Sequence, residues 1–199
     1  MNSPVEPAAA EGLAAIVLAG GGARRLAGLD KPMIEVGGRT LLHGVLAAVG
    51  PADPVIVVGP ERAGFPGVRW TREDPPGGGP VAALATGLEC VPPGATEVAV
   101  LAGDLLGVTA STVRRLRAAL GAGDGALLVD EDGRRQWLAG VWRPVALRAA
   151  LPARPSGAAL RRVLGGLSIV EVPALRGETF DVDTPADLDR ARRGARADD

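Results

Sequence analysis

The chain has 199 residues, sets 22 lysines and arginines against 23 aspartates and glutamates for a formal net charge of −1, and carries one cysteine and one histidine. The length fits a single globular unit, and the near-neutral balance excludes a global basic field that would gather nucleic acid or an anionic membrane, so any anion site must be local. Cys90 has no intramolecular disulfide partner and His43 alone cannot build a histidine zinc or iron site, which leaves carboxylates as ligands for a hard cation.

Residues 1–12 are rich in Ala and Pro without a basic cluster, so they read as a disordered tail rather than a secretion signal, and a cytoplasmic location is expected. One domain is expected over 13–193, with a second disordered tail over 194–199. The apolar run from Ala15 to Leu18 predicts a buried strand, bounded at once by glycines and far too short to cross a bilayer.

The segment Gly20-Gly21-Gly22 to Asp30-Lys31-Pro32 follows that strand. Glycines let main-chain N–H groups approach an anion closely, while Arg25 and Lys31 add charge-assisted contacts, so the segment reads as a grip for a nucleoside triphosphate. It is not a Walker loop, because no Gly-Lys-Ser/Thr follows. It is not a dinucleotide fingerprint, because Arg25 stands where the third glycine belongs, and this weighs against an oxidoreductase. Pro32 biases Lys31 toward an extended backbone, and Lys31 is the only lysine in a chain that otherwise uses arginine.

Further along, Thr40 to Val49 reads as a helix capped by its threonine, Pro54 to Val58 and Val68 to Thr71 as strands, and Val81 to Cys90 as a helix opened by Pro80. Val98 to Ala102 predicts another strand, and Asp104 follows it by two residues. That spacing holds a carboxylate at the sheet edge, where it can meet Mg²⁺ and phosphate oxygens. Thr109 to Leu120 predicts a helix with its arginines on one face. Two apolar runs within Ala126 to Val141 flank Asp132-Gly133, which predicts a hairpin with a type I′ turn. A strand over Leu167 to Val172 and a helix from the cap Thr184, with Pro185 at its first position and Asp187 in its first turn, to about Arg193 complete the chain. Asp181 and Asp183 precede that helix, and Asp183 is a second candidate for metal or phosphate. The alternation predicts an α/β fold: three α/β/α layers, Rossmann-like, with a mostly parallel sheet and one antiparallel hairpin strand.

The pattern Leu18-Ala19-Gly20-Gly21 with Arg25, Gly28, Asp30 and Lys31 occurs in order with Glu73-Asp74, Gly79-Pro80-Val81, Leu101-Ala102-Gly103-Asp104 and Phe180-Asp181-Val182-Asp183-Thr184-Pro185. In these motifs the chain resembles the nucleotidyltransferases typified by molybdenum cofactor guanylyltransferase. The resemblance implies a nucleotide site including Leu18, Ala19, Gly20, Gly21, Lys31, Asp74, Gly79 and Asp104, catalytic roles for Lys31, Arg25 and Asp104, and Mg²⁺ on Asp104 and Asp183. It further implies GMP transfer from GTP to molybdopterin, with molybdoenzymes or their chaperones as partners, no nucleic acid and no membrane. Base and acceptor come from the resemblance alone. Cytidylyl transfer to the same cofactor, nucleotidyl transfer to a sugar phosphate or phospholactate, and a noncatalytic nucleotide-binding module stay open. The chain departs from the family at Ala27 and Leu106, where Gly and Pro are usual, and at Gly59, where Asn occurs.

Arg114, Arg115, Arg117, Arg161 and Arg162 read as solvated helix faces, Trp137 and Trp142 as core or rim aromatics, and His43 as a structural residue of its helix.

Overall fold

An uninterrupted apolar run has no solvent face to offer, and strand β1 (Leu13–Leu18) is accordingly buried at all its positions. The computed structural model describes residues 12–20, 30–180 and 187–189. After β1, a 3₁₀ turn over Lys31–Met33 leads into a small hairpin of β2 (Glu35–Val36) and β3 (Arg39–Thr40), then helix α1 (Leu41–Ala48), strands β4 (Val55–Val58) and β5 (Arg69–Thr71) and helix α2 (Pro80–Glu89). Strand β6 (Glu97–Ala102), helix α3 (Ala110–Leu120), strands β7 (Gly125–Val129) and β8 (Arg135–Trp142), helices α4 (Pro144–Ala150) and α5 (Leu160–Leu164) and strand β9 (Ile169–Pro173) follow.

Among the described residues the main sheet runs β5-β4-β1-β6-β8-β7-β9. β8 is antiparallel to both neighbours, and the other strand pairs of this sheet are parallel. Alternate residues of β1 divide between two cores. Leu13, Ala15 and Val17 pack with α1 and α3 on one face, whereas Ala14, Ile16 and Leu18 pack with α2, α4 and α5 on the other, giving the expected three layers.

The capping signals act locally. Thr40 Oγ1 accepts a hydrogen bond from the His43 N–H, and Thr109 and Thr112 form a reciprocal capping box at α3. Strand and helix limits fall within one or two residues of those expected. The short hairpin and the helices α4 and α5 were not legible as elements. Residues 187–189 are helical, while the rest of the expected last helix and both expected tails, apart from Gly12, lie outside the described residues.

Two expectations are corrected. The β7–β8 connection is not a two-residue type I′ turn. Asp130 and Arg134 pair across a three-residue loop, with the Gly133 N–H on the Asp130 carbonyl at 3.0 Å. The Asp130 carboxylate also accepts from the N–H groups of Asp132 and Arg134, and these side-chain bonds favour the longer loop. The arginines of α3 are not all solvated. Arg115 pairs with Glu178 at 2.7 Å and Arg117 with Glu97 at 2.6 Å.

Candidate active site

Register brings four strand ends to one level. Thr71, Val58, Leu18 and Ala102 are aligned across β5, β4, β1 and β6, so the residues after them leave the carboxyl edge of the sheet together. Ala19 stands at the centre of this edge. Its N–H donates to the Val58 carbonyl at 2.9 Å, and the Gly103 N–H donates to the Leu18 carbonyl at 2.9 Å. A Cβ on Gly103 would lie 2.9 Å from the Ala19 Cβ, so the turn carrying Asp104 sits against the end of β1 only because residue 103 lacks a side chain.

A cleft of about 700 Å³ opens over this edge, lined by Leu18, Gly20, Pro60, Arg72, Glu73, Gly77, Gly79, Pro80, Ala83, Ala102, Asp104 and Leu138. A second cavity of about 330 Å³ is lined by Arg135, Gln136, Trp137, Ala139, Leu105 and Leu160 and shares Ala102, Asp104 and Leu138 with the first. The β7–β8 register slips between Leu127 and Leu128, and the β8 residues at this irregularity wall the second cavity. The half-buried Asp104 thus stands where two cavities meet.

Of the residues expected at the site, Leu18, Gly20, Gly79 and Asp104 line the cleft, and Ala19 lies buried beneath it. Gly79 is the N-cap of α2 and Pro80 its first residue, so the positive end of that helix opens on the cleft. Lys31 is half-buried at the start of its 3₁₀ turn and is not among the lining residues. Asp74 is exposed. Its neighbour Glu73 lines the cleft, where Glu73 Oε1 accepts the Gly77 N–H at 3.0 Å. Gly21, Arg25, Ala27, Asp181 and Asp183 lie outside the described residues.

The turn after Asp104 is tied to its surroundings. The Leu106 N–H donates to the Phe180 carbonyl at 3.4 Å, and its side chain packs against the small cluster of Ile34 and Leu41. A proline at 106 has no N–H to give, so leucine here serves the link to the segment ending at Phe180. Gly59 is fixed by sterics, since its Cβ would fall 2.7 Å from the Ala19 carbonyl carbon and oxygen.

Two residues at the site and one beyond it escaped sequence reasoning. Arg72 follows β5 into the cleft with no motif around it. Arg62 forms two hydrogen bonds with the Asp30 carboxylate, 32 positions earlier. Glu178, 5 % exposed, accepts from Thr112 Oγ1 at 2.6 Å, Arg115 Nη1 at 2.7 Å and the Leu175 N–H at 2.6 Å. Burial opposes its ionisation, but these bonds and the Arg115 charge outweigh burial and hold its carboxyl below the ordinary range. In each case the partner lies far away in sequence or the local context is unmarked.

A cleft at the carboxyl edge of the parallel sheet, with a helix N-terminus opening on it and an acid at its junction with a second cavity, is where open α/β sheets hold their ligands, and the relatives of the chain make it a nucleotidyltransferase. Residues 15–172 match the MobA-like NTP transferase domain, and the chain belongs to that family. It is 33 % identical to a molybdenum cofactor guanylyltransferase of Bradyrhizobium sp. (strain ORS 278), with 92 % of this chain and 93 % of the relative covered. It is 32 % identical to a molybdenum cofactor guanylyltransferase of Acidiphilium cryptum (strain JF-5) over 92 % of this chain and 95 % of the relative. The fold is also similar to that of the Mycobacterium sp. strain JC1 homolog of Mycobacterium tuberculosis Rv0371c, with a TM-score of 0.76 at 23 % identity over 94 % of this chain and 98 % of that one. Among the described residues no helix is long and apolar enough to cross a membrane.

Proposed function

We propose that the chain transfers GMP from GTP to molybdopterin, releasing pyrophosphate and forming a molybdopterin guanine dinucleotide in the cytoplasm. The observation that carries this reading is the position of Asp104 between two cavities, the larger suited to a nucleoside triphosphate and the smaller to an acceptor. A phosphate oxygen of the acceptor attacks the α-phosphorus, a new P–O bond forms there, and the bond to the β-phosphate breaks with pyrophosphate leaving. The names of the curated relatives support guanine and the molybdenum cofactor as the two specificities.

Among the described residues a half-buried carboxylate stands at the meeting of the cavities and no soft ligand lines either one, a donor chemistry that suits a hard divalent cation. Asp104 would hold Mg²⁺, with Asp183 as the second carboxylate. When bound, the cation neutralises triphosphate charge and polarises the reacting phosphoryl group. The backbone at Gly20 and the N-terminus of α2 at Gly79 receive phosphate oxygens or the base, and Arg25 and Lys31 meet the charge that grows on the leaving pyrophosphate. In the smaller cavity, Arg135 stands 5.7 Å from the Trp137 ring centroid and its Nε donates to Glu171 at 2.7 Å, so a flat apolar ring and a guanidinium already partly met by a carboxylate face the place proposed for the acceptor.

The test is thermal unfolding with Mg²⁺ and, separately, GTP, CTP, ATP and UTP, followed by a pyrophosphate-release assay with molybdopterin. A ligand present at about a hundred times its Kd adds about 2.7 kcal/mol. Selective stabilisation by GTP and turnover with molybdopterin support the reading. Selective stabilisation by CTP moves the base assignment to cytosine, and no response to any triphosphate overturns the reading.

A further inference from the structure

A single guanidinium holds both ends of the glycine-rich segment. Arg62 lies four residues beyond β4 with its side chain only 9 % exposed. Its Nη2 donates to the Ala19 carbonyl at 3.0 Å and to Asp30 Oδ1 at 2.6 Å, while Nε donates to Asp30 Oδ2 at 2.7 Å and Nη1 to the Pro60 carbonyl at 3.1 Å. Ala19 is among the last residues before the glycines, and Asp30 is the residue before Lys31.

Asp30 is the N-cap residue of the Lys31–Met33 turn, where an aspartate ordinarily accepts from the N–H groups of its own turn. It makes no such bond. Both carboxylate oxygens turn to Arg62 instead, in the bidentate geometry that fixes direction as well as distance. The Asp30 side chain is 49 % exposed, and at such exposure an ion pair adds little to stability. What the pair sets is position. It also cancels a negative charge immediately beside the only lysine of the chain, where uncompensated it would oppose an incoming polyphosphate.

We propose that Arg62 is a positioning residue for nucleotide binding: by joining the Ala19 carbonyl to the Asp30 carboxylate it fixes Asp30 against the end of β1 and sets the direction in which the chain enters Lys31. This rests on the nucleotidyl-transfer reading above. Arg62 does not touch the reacting atoms. It acts through Asp30 and the backbone of Lys31.

The test compares the full chain with Arg62→Gln, Arg62→Lys and Asp30→Asn. Asp30→Asn breaks the pair from its exposed side and leaves the Arg62 bonds to Ala19 and Pro60, so it serves if loss of Arg62 prevents folding. Two readouts are taken: hydrogen exchange of peptides covering residues 30–36 without ligand, where the Met33 and Ile34 N–H groups are bonded to the Asp30 and Lys31 carbonyls, and affinity for inorganic pyrophosphate and the Mg-triphosphates. The expected result is about tenfold faster exchange and about tenfold weaker pyrophosphate and triphosphate binding in Arg62→Gln and Asp30→Asn, with KM for the triphosphate rising more than kcat falls. Arg62→Lys falls between, because an ammonium keeps the charge but not the fork. Unchanged exchange over 30–36, or unchanged pyrophosphate affinity beside a lowered unfolding temperature, overturns the proposal and leaves Arg62 a structural residue. A wild-type chain that binds no triphosphate overturns the nucleotidyl-transfer reading itself and the nucleotide role of Arg62 with it, an outcome distinct from a failure seen only in the variants.

Discussion

A Cβ on Gly59 would lie 2.7 Å from both the carbonyl carbon and the carbonyl oxygen of Ala19, and Gly59 has φ +156°. The absent side chain lets the end of β4 press against the end of β1, directly under the cleft. Gly59→Ala is therefore expected to lose about 1–3 kcal/mol of stability and to weaken triphosphate binding, because relief of the clash must displace Ala19 or the Gly59–Pro60 turn. Chemical denaturation together with nucleotide titration checks both effects. A variant as stable as the parent would show that the backbone here yields easily.

Glu178 gives a pH-dependent prediction. Its carboxyl is held below the ordinary glutamate range, so its contribution is complete above the usual pKa and is lost as pH falls through the lowered value. Glu178→Gln is expected to cost about 1–3 kcal/mol at neutral pH, since it leaves Arg115 without its carboxylate and perturbs Thr112 and the Leu175 N–H. Urea unfolding from pH 7 down to about pH 3 should show the two proteins converging, with the wild type losing more. Parallel curves would mean that Glu178 does not titrate against Arg115 in the folded state.

Trp142 is fully buried, and among the described residues its Nε1 is the buried side-chain polar atom without a hydrogen-bond partner. An unsatisfied donor costs about 1–3 kcal/mol, which offsets part of what the indole contributes by packing. Trp142→Phe is expected to stay within about 1.5 kcal/mol of the parent, whereas Trp142→Ala should lose about 3–5 kcal/mol. Thermal denaturation of the pair is the measurement. Equal losses would show that the whole indole volume is needed.

What the sequence revealed were features whose cause is local. The run Leu13–Leu18 has one possible environment, Thr40 and Thr109 cap the turns that follow them, and Asp104 leaves an apolar strand within two residues. What it hid depends on long-range partners. Arg62 finds Asp30 at a separation of 32 positions, and Thr112 finds Glu178 at 66, with nothing nearby to mark either. The Asp132-Gly133 dipeptide signals a two-residue turn, but Asp130, outside it, captures the neighbouring N–H groups and lengthens the loop. Between the adjacent acids Glu73 and Asp74, sequence gives no means of saying which one turns to the cleft.

The sharpest test of the site is Asp104→Asn. The amide keeps the size of the side chain and removes the charge, so a residue that merely shapes its turn should tolerate the change, whereas one that holds a cation and orders phosphate oxygens should not. Asp104 lines both cavities, so the loss should appear with either substrate varied. Pyrophosphate release is expected to fall at least about 10²-fold. Stability without nucleotide should stay within about 1 kcal/mol, which for a chain of this size is about 2–4 °C in Tm. The added stability that Mg²⁺ gives in the presence of triphosphate should shrink in the same variant, because a cation held at Asp104 would lose a ligand. Retention of more than about a tenth of the parent activity, with an unaltered Mg²⁺ response, would reduce Asp104 to a turn residue and place the metal elsewhere.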